Sequence, residues 1–147
     1  MVWKPHVTVA AIIEENDHFL VVEEYIDGQL LINQPAGHLD EGEGLIKAVS
    51  REALEETGRY FTPTALVGTY RWVSPSNRIT YLRFAFAGTH SPQDFDYQID
   101  PVIHQVRWMS LTELRQRHQQ LRSPLVIRCI EDYLAGHRCP LEFIVDS

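Results

Sequence analysis

The chain is poor in cysteine. Its 147 residues hold two, Cys129 and Cys139, ten positions apart and outside any C-x-x-C or His/Cys cluster. That argues against a disulfide framework or a zinc site and fits reduced thiols, so the expected location is cytoplasmic. Long apolar runs are also missing. None approaches the roughly 20 residues of a membrane span. The apolar N-terminal stretch is broken by Glu14 and Glu15 and carries no small-residue cleavage site, so a strand is expected there and no signal peptide. Basic residues are outnumbered, 13 Lys and Arg against 20 Asp and Glu, for a net charge of −7. This speaks against nonspecific binding to nucleic acid or to an anionic membrane. An anionic small molecule would be repelled too, unless bound cations or local Arg and Lys reverse the field at its site. No repeat, low-complexity tract or linker is visible, so one domain over 1–147 is expected, and a monomer.

What remains is ordinary globular composition, 44% apolar and 22% charged, in a chain long enough for a substantial core. His6 to Glu14 and Phe19 to Tyr25 read as strands, with a turn at Asp27-Gly28 and an extended Leu30-Leu31-Ile32 after it. Pro35 and Gly37 break structure. Leu45 to Thr57 reads as a helix with an apolar stripe of Ile46, Val49 and Ala53, closed by Gly58. Leu66–Val73 and Ile79–Ala87 read as a hairpin across Ser74-Pro75-Ser76-Asn77, and 88–101 as a long polar loop. Val102 to Met109 is a last strand. Ser110-Leu111-Thr112-Glu113 has the form of a capping box opening a helix, and Ser123-Pro124 opens another to about Leu134. The pattern is that of a mixed α/β domain.

The segment that carries chemistry is Gly37 to Gly58. It puts Glu52, Glu55 and Glu56 on one turn of helix, where like charges at i, i+3 and i+4 repel by roughly 0.2–0.5 kcal/mol per pair. A lone E-x-x-E-E is most simply a solvated acidic helix. Here it is embedded in a longer pattern: Gly37, five residues, Glu43, seven residues, then Arg51-Glu52-Ala53-Leu54-Glu55-Glu56-Thr57-Gly58. Seven fixed positions at about 7% background each give odds on the order of 10⁻⁸ per register. The apolar stripe lies roughly 100° round from the acidic face, so core packing and cation binding are not expected to compete. Hard divalent cations take oxygen ligands, and Mg²⁺ is held by carboxylates together with substrate phosphates.

On these residues the chain resembles the Nudix hydrolase family, whose box reads G-x5-E-x7-R-E-U-x-E-E-x-G-U with U apolar. It departs at the last position, which is Arg59. The resemblance extends over essentially the whole chain. Lys4 to Ala10, Phe19 to Glu24, Asn33-Gln34-Pro35-Ala36-Gly37-His38, Tyr81-Leu82-Arg83-Phe84, Arg107-Trp108 and Leu121 to Val126 are similar to the NudJ-type phosphatase branch. It implies an α/β/α sandwich around a central mixed sheet, with the box as a loop-helix-loop. It implies Mg²⁺, with Mn²⁺ as a substitute, held by Glu52, Glu56 and the Gly37 carbonyl, with Glu55 a ligand or a water-positioning base. Glu43 and Arg51 would be a structural ion pair. It also implies removal of phosphate from nucleoside tri- and diphosphates and from hydroxymethylpyrimidine diphosphate.

Other candidates rest on less. Family members often recruit a further carboxylate from a loop, and Asp94, Asp96 and Asp100 are available, with His104 close by; the usual family position falls on Val102, so no base is assigned. Arg83, Arg71, Arg78 and Lys4 are candidate phosphate contacts, with Arg83 favoured because strand alternation sets it opposite Phe84. Trp72, Tyr70 and Tyr81 are candidate stacking partners for a base or pyrimidine ring. Glu24 or Glu23 is a candidate acceptor for an amino group on that ring. The competing readings are a non-catalytic nucleotide sensor and a hydrolase of ADP-ribose or dinucleoside polyphosphates. An RNA-end-processing enzyme is disfavoured by the charge.

Overall fold

The computed structural model describes residues 1–147. Its elements in chain order are β1 (His6–Ile12), β2 (Glu14–Glu15), β3 (His18–Ile26), β4 (Gln29–Asn33), β5 (Ala36–His38), α1 (Leu45–Thr57), β6 (Phe61–Val73), β7 (Thr80–His90), β8 (Ile103–Ser110), α2 (Leu111–Gln116), α3 (Leu125–Leu134) and β9 (Cys139–Pro140), with 3-10 turns at His118–Gln120 and Leu141–Phe143. The strands form two sheets. One is mixed, in the order β5-β1-β7-β6-β9, with β1 and β7 parallel and the other pairs antiparallel. The other joins β2, β3 and β4, with β8 on the far edge of β3.

Strand alternation divides the core in two. Val9, Ala11 and Ile13, then Leu20 and Phe86, pack with Ala48, Val49 and Ala53 of α1. The intervening Ile12, Phe19, Val21, Ala85 and Ala87 pack with Leu125, Cys129 and Ile130 of α3. Helices on opposite faces of the mixed sheet make the α/β/α sandwich. No helix is long and apolar enough to cross a membrane.

Local signals explain most boundaries. Asp27 and Gly28, both at positive φ, form the two-residue turn between β3 and β4, the conformation that matches strand twist. Ser110 accepts from the Glu113 N–H and Glu113 reaches back, completing the capping box of α2. Gly58 closes α1 at φ 69°, donating its N–H to the Leu54 carbonyl. Arg59, where an apolar residue was expected, lays its guanidinium 5.3 Å from the centre of the Trp108 ring.

Three expectations need correction. The Ala36–His38 segment is a strand, not a break: it adds to the edge of β1 opposite Thr8, Val9 and Ala10, pairing that its Pro and Gly neighbours conceal. Strand β6 starts at Phe61, because Pro63 is accommodated where the register shifts, a place that tolerates a missing donor. Strand β7 runs on to His90, so the polar loop begins at Ser91. Replacing fully buried Ile130 with alanine should cost about 2–5 kcal/mol, read as a lower denaturant midpoint at unchanged m-value.

Candidate functional site

The box helix does not keep its acidic face away from the core. Glu52 is 9% exposed and lies among the buried residues of α1 beside Val49 and Ala53, while Ile46 is only half-buried. The reason is β5, which packs on this side of α1. At Gly37 the two meet so closely that a methyl group would overlap the Glu52 carboxylate. Glycine there leaves the Glu52 carboxylate in place, which any side chain would push aside.

Arg51 organises the carboxylates. It donates through Nε and Nη2 to the two oxygens of Glu43, at 2.6 and 2.9 Å. Its Nη1 reaches Glu52 at 3.0 Å and Glu55 at 3.2 Å, and Nη2 also reaches the His38 carbonyl at 3.1 Å. One planar fork thus ties the lead-in loop, the helix and the end of β5 together. Hydrogen bonding to Arg51 holds the Glu43 carboxyl below its usual range.

Glu56 has no such cation. Its Oε1 accepts the Ala36 N–H at 2.8 Å. Burial, opposed by that N–H and reinforced by the charges of Glu52, Glu24 and Asp100, pushes its carboxyl up to about 9. Burial also raises Glu52, against the pull of Arg51. As the side chains stand, no group of three or more acidic or imidazole side chains converges on one point, since Arg51 draws Glu52 and Glu55 aside. The donor chemistry nonetheless fits a hard divalent cation. Carboxylate oxygens crowd a buried acid that lacks a counter-charge, and a side-chain-free backbone lies against them.

Behind β5 opens a cleft of about 920 Å³ between the two sheets. Its lining includes Gly37 and His38 from the box, and Glu24, Trp72, Tyr81 and Arg83, residues drawn from four different strands. The Trp72 and Tyr81 rings, opposite one another across β6 and β7, stack at 5.8 Å and 28°. Glu24 is held by Arg122 at 3.2 Å. His38 sits 3.3 Å from the His6 ring nitrogen, and burial, then His6 and Arg122, lower its imidazole below the ordinary value.

Other candidates lie elsewhere. Glu23 is buried on Arg107 at 3.0 Å. Tyr70 donates to Asp132 beneath α3. Arg71, Arg78 and Lys4 are exposed outside the cleft. His104 packs edge-on against Tyr25. Of the loop aspartates, Asp94 accepts from the Tyr60 hydroxyl and Asp96 is exposed, but the Asp100 N–H donates to the Glu55 carbonyl at 2.8 Å. Asn33, Gln34 and Arg122 were missed. The first two adjoin the box in sequence and could have been suspected; nothing in the sequence links Arg122 to Glu24, 98 positions away.

A fold of this kind, with an acidic helix at the rim of a cleft, is matched by a known family. The NUDIX domain model covers residues 4–129, and the chain belongs to the Nudix hydrolase family. It is 43% identical to phosphatase NudJ of Escherichia coli K12, over 98% of this chain and 93% of that protein. A NUDIX hydrolase structure from Nitrosomonas europaea superposes with a TM-score of 0.94 at 49% identity, covering 98% of both chains. The MutT protein of Methanosarcina mazei Go1 shares the fold at 21% identity, with a TM-score of 0.72 over 94% of this chain and 100% of its own. The chain is thus an enzyme, a Nudix hydrolase of phosphorus-containing acid anhydrides with a phosphatase homologue.

Two outcomes follow. Gly37→Ala should leave the chain folded but cut turnover by about 10-fold or more, because the Glu52 carboxylate must swing away from the added methyl and small misplacements at a reacting centre are costly. Glu56 gives a pH signature in EDTA. Its folded pKa of about 9 lies above the ordinary 4.5, so between those values the folded chain keeps a proton that the unfolded chain has lost. Stability should fall as pH rises through that window. Thermal melts should show Glu56→Gln removing this part of the fall, and a divalent cation opposing it in the wild type.

Proposed function

We propose that this Nudix hydrolase is a divalent-cation-dependent phosphatase of small phosphoanhydrides: nucleoside tri- and diphosphates, and pyrimidine diphosphates such as hydroxymethylpyrimidine diphosphate. The observation that carries this reading is Glu56, a buried carboxyl with no cation beside it, held on the Ala36 N–H where the box strand meets the cleft. Its agreement with the phosphatase relative supports it.

In this reading Glu52, Glu55, Glu56 and the Gly37 carbonyl hold Mg²⁺, or Mn²⁺ in its place. Bound there, the cation supplies polarisation of phosphoryl oxygens and a lowered pKa for water. The chain's own residues do the rest. Arg51 and Glu43 clamp the box loop to the helix, and Arg51 fixes the Glu52 and Glu55 carboxylates by hydrogen bonds. Glu56 gives up its proton to bind, so cation affinity rises with pH. The Trp72–Tyr81 stack offers an aromatic shelf for a base or pyrimidine ring, and Glu24, braced by Arg122, accepts from an amino group on that ring. The −7 net charge makes local cations and bound metal necessary for an anionic substrate and supports a small-molecule partner over nucleic acid. The chain works as one domain and a monomer, in the cytoplasm, where its two thiols stay reduced.

The test is phosphate release from NTPs, NDPs, hydroxymethylpyrimidine diphosphate, ADP-ribose and dinucleoside polyphosphates, with Mg²⁺ and with EDTA. Inorganic phosphate from the first three groups, abolished by EDTA, is expected. Turnover confined to ADP-ribose or dinucleotides refutes the substrate class, and no metal-dependent turnover at all favours a sensor. Glu52→Gln should lower kcat by about 100-fold or more, since even partners of metal ligands cost 10–100-fold.

A further inference from the structure

Arg83 is 6% exposed and lies in the cleft wall, yet its hydrogen bonds go to neutral groups. Nη1 donates to Gln34 Oε1 at 2.8 Å and leans on the Cys129 sulfur at 3.9 Å, and Nη2 donates to Asn33 Oδ1 at 2.9 Å. Cys129 is no counter-ion, because burial raises its thiol. The acids in the neighbourhood are taken: Glu24 by Arg122, and Asp132 by Arg128 and Tyr70. Gln34 is itself fixed by donation to the Val126 carbonyl at 2.7 Å. A guanidinium held this firmly, so little exposed and without an anion is an unusual expenditure of free energy.

The network also decides what faces the cleft. Arg83 can only donate, so the amides of Asn33 and Gln34 must turn their oxygens to it. The Asn33 Nδ2–H groups are thereby left without a protein acceptor. Thr8, the register partner of Arg83, lines the same wall with its hydroxyl free. No unpartnered side-chain nitrogen or oxygen is sealed in the interior, so Arg83 Nε and Asn33 Nδ2, which have no protein acceptor, keep access to solvent, and both residues line the cleft. Thr8 also pairs with His38, which places Arg83 two strand spacings, about 10 Å, from the box strand. One small substrate spans that distance.

We infer that Arg83, Asn33 and Thr8 form a phosphate-oxyanion subsite that binds a phosphate of the substrate directly, with no cation between. The inference rests on the reading that this cleft takes a phosphorylated small molecule. It makes Asn33 a binding residue and Arg83 a buried, pre-oriented charge.

Asn33→Asp is the decisive variant. It is isosteric and gives Arg83 an internal counter-ion, so it should leave melting temperature unchanged or raised while neutralising the subsite. Inorganic phosphate titrated into the wild type in EDTA should bind with a Kd of about 1 mM and shift the Arg83 Nε–H resonance. Asn33→Asp should weaken this by about 10-fold or more, raise KM more than it lowers kcat, and relieve competitive inhibition of turnover by phosphate. Arg83→Gln should do the same; if it fails to fold, Asn33→Asp still decides. Equal phosphate affinity in wild type and Asn33→Asp, no binding in the wild type, or inhibition that leaves KM unchanged overturns the assignment. Glu52→Gln separates the two readings: it should still bind phosphate in EDTA. If it also keeps full turnover, the proposed metal chemistry fails while the subsite stands.

Discussion

Everything at the box depends on one guanidinium among acids. Arg51 touches Glu43, Glu52 and Glu55, with Asp40 at 3.4 Å. At an effective dielectric near 20, unit charges 4 Å apart interact by about 4 kcal/mol, so this set of carboxylates could not assemble without a cation in its midst. Arg51 serves because its planar fork reaches several acceptors at once. It also sets the limit of its own influence. Glu56, one turn beyond, receives a backbone N–H instead and is left as the uncompensated acid. The carboxylates of the box are thus partly neutralised by the fold, with Glu56 left over.

The second constraint is the approach of β5 to α1. Closing the lead-in strand onto the acidic face buries Glu52, and a side chain at 37 would displace its carboxylate. Burial raises the affinity of the Glu52 and Glu56 carboxyls for protons, which is what makes the position of Glu52 in the core costly.

Across the sheet the same alternation that divides the core divides the chemistry. On β7, Phe84 and Phe86 face α1 while Arg83 and Ala85 face α3. The cation side chains of the cleft and the carboxylates of the box are thereby kept on opposite faces and meet only at the β5 edge. That arrangement lets an acidic protein of net charge −7 present locally positive groups to an anion.

Much was legible from the chain alone. The spacing from Gly37 to Gly58 identified the box and its helix, because a helix repeats every 3.6 residues whatever surrounds it, and the resemblance of that box to its family supplied the Arg51–Glu43 pairing. The capping box at Ser110 and the Asp27-Gly28 turn were readable for the same reason. What depends on residues distant in sequence was not. The stripe of α1 misplaced Glu52, since β5 had no strand signal and its packing could not be seen. Glu23 and Glu24 are indistinguishable in sequence; Arg107 neutralises one inside, and Arg122 braces the other in the cleft. Arg83 was readable as a candidate phosphate contact on a strand, but not its burial among Asn33, Gln34 and Cys129. The sequence by itself determined the box, its candidate carboxylates and their register on one helix. Only the tertiary structure decided which charges are compensated, because compensation is a matter of distance and burial between segments that the chain order keeps apart.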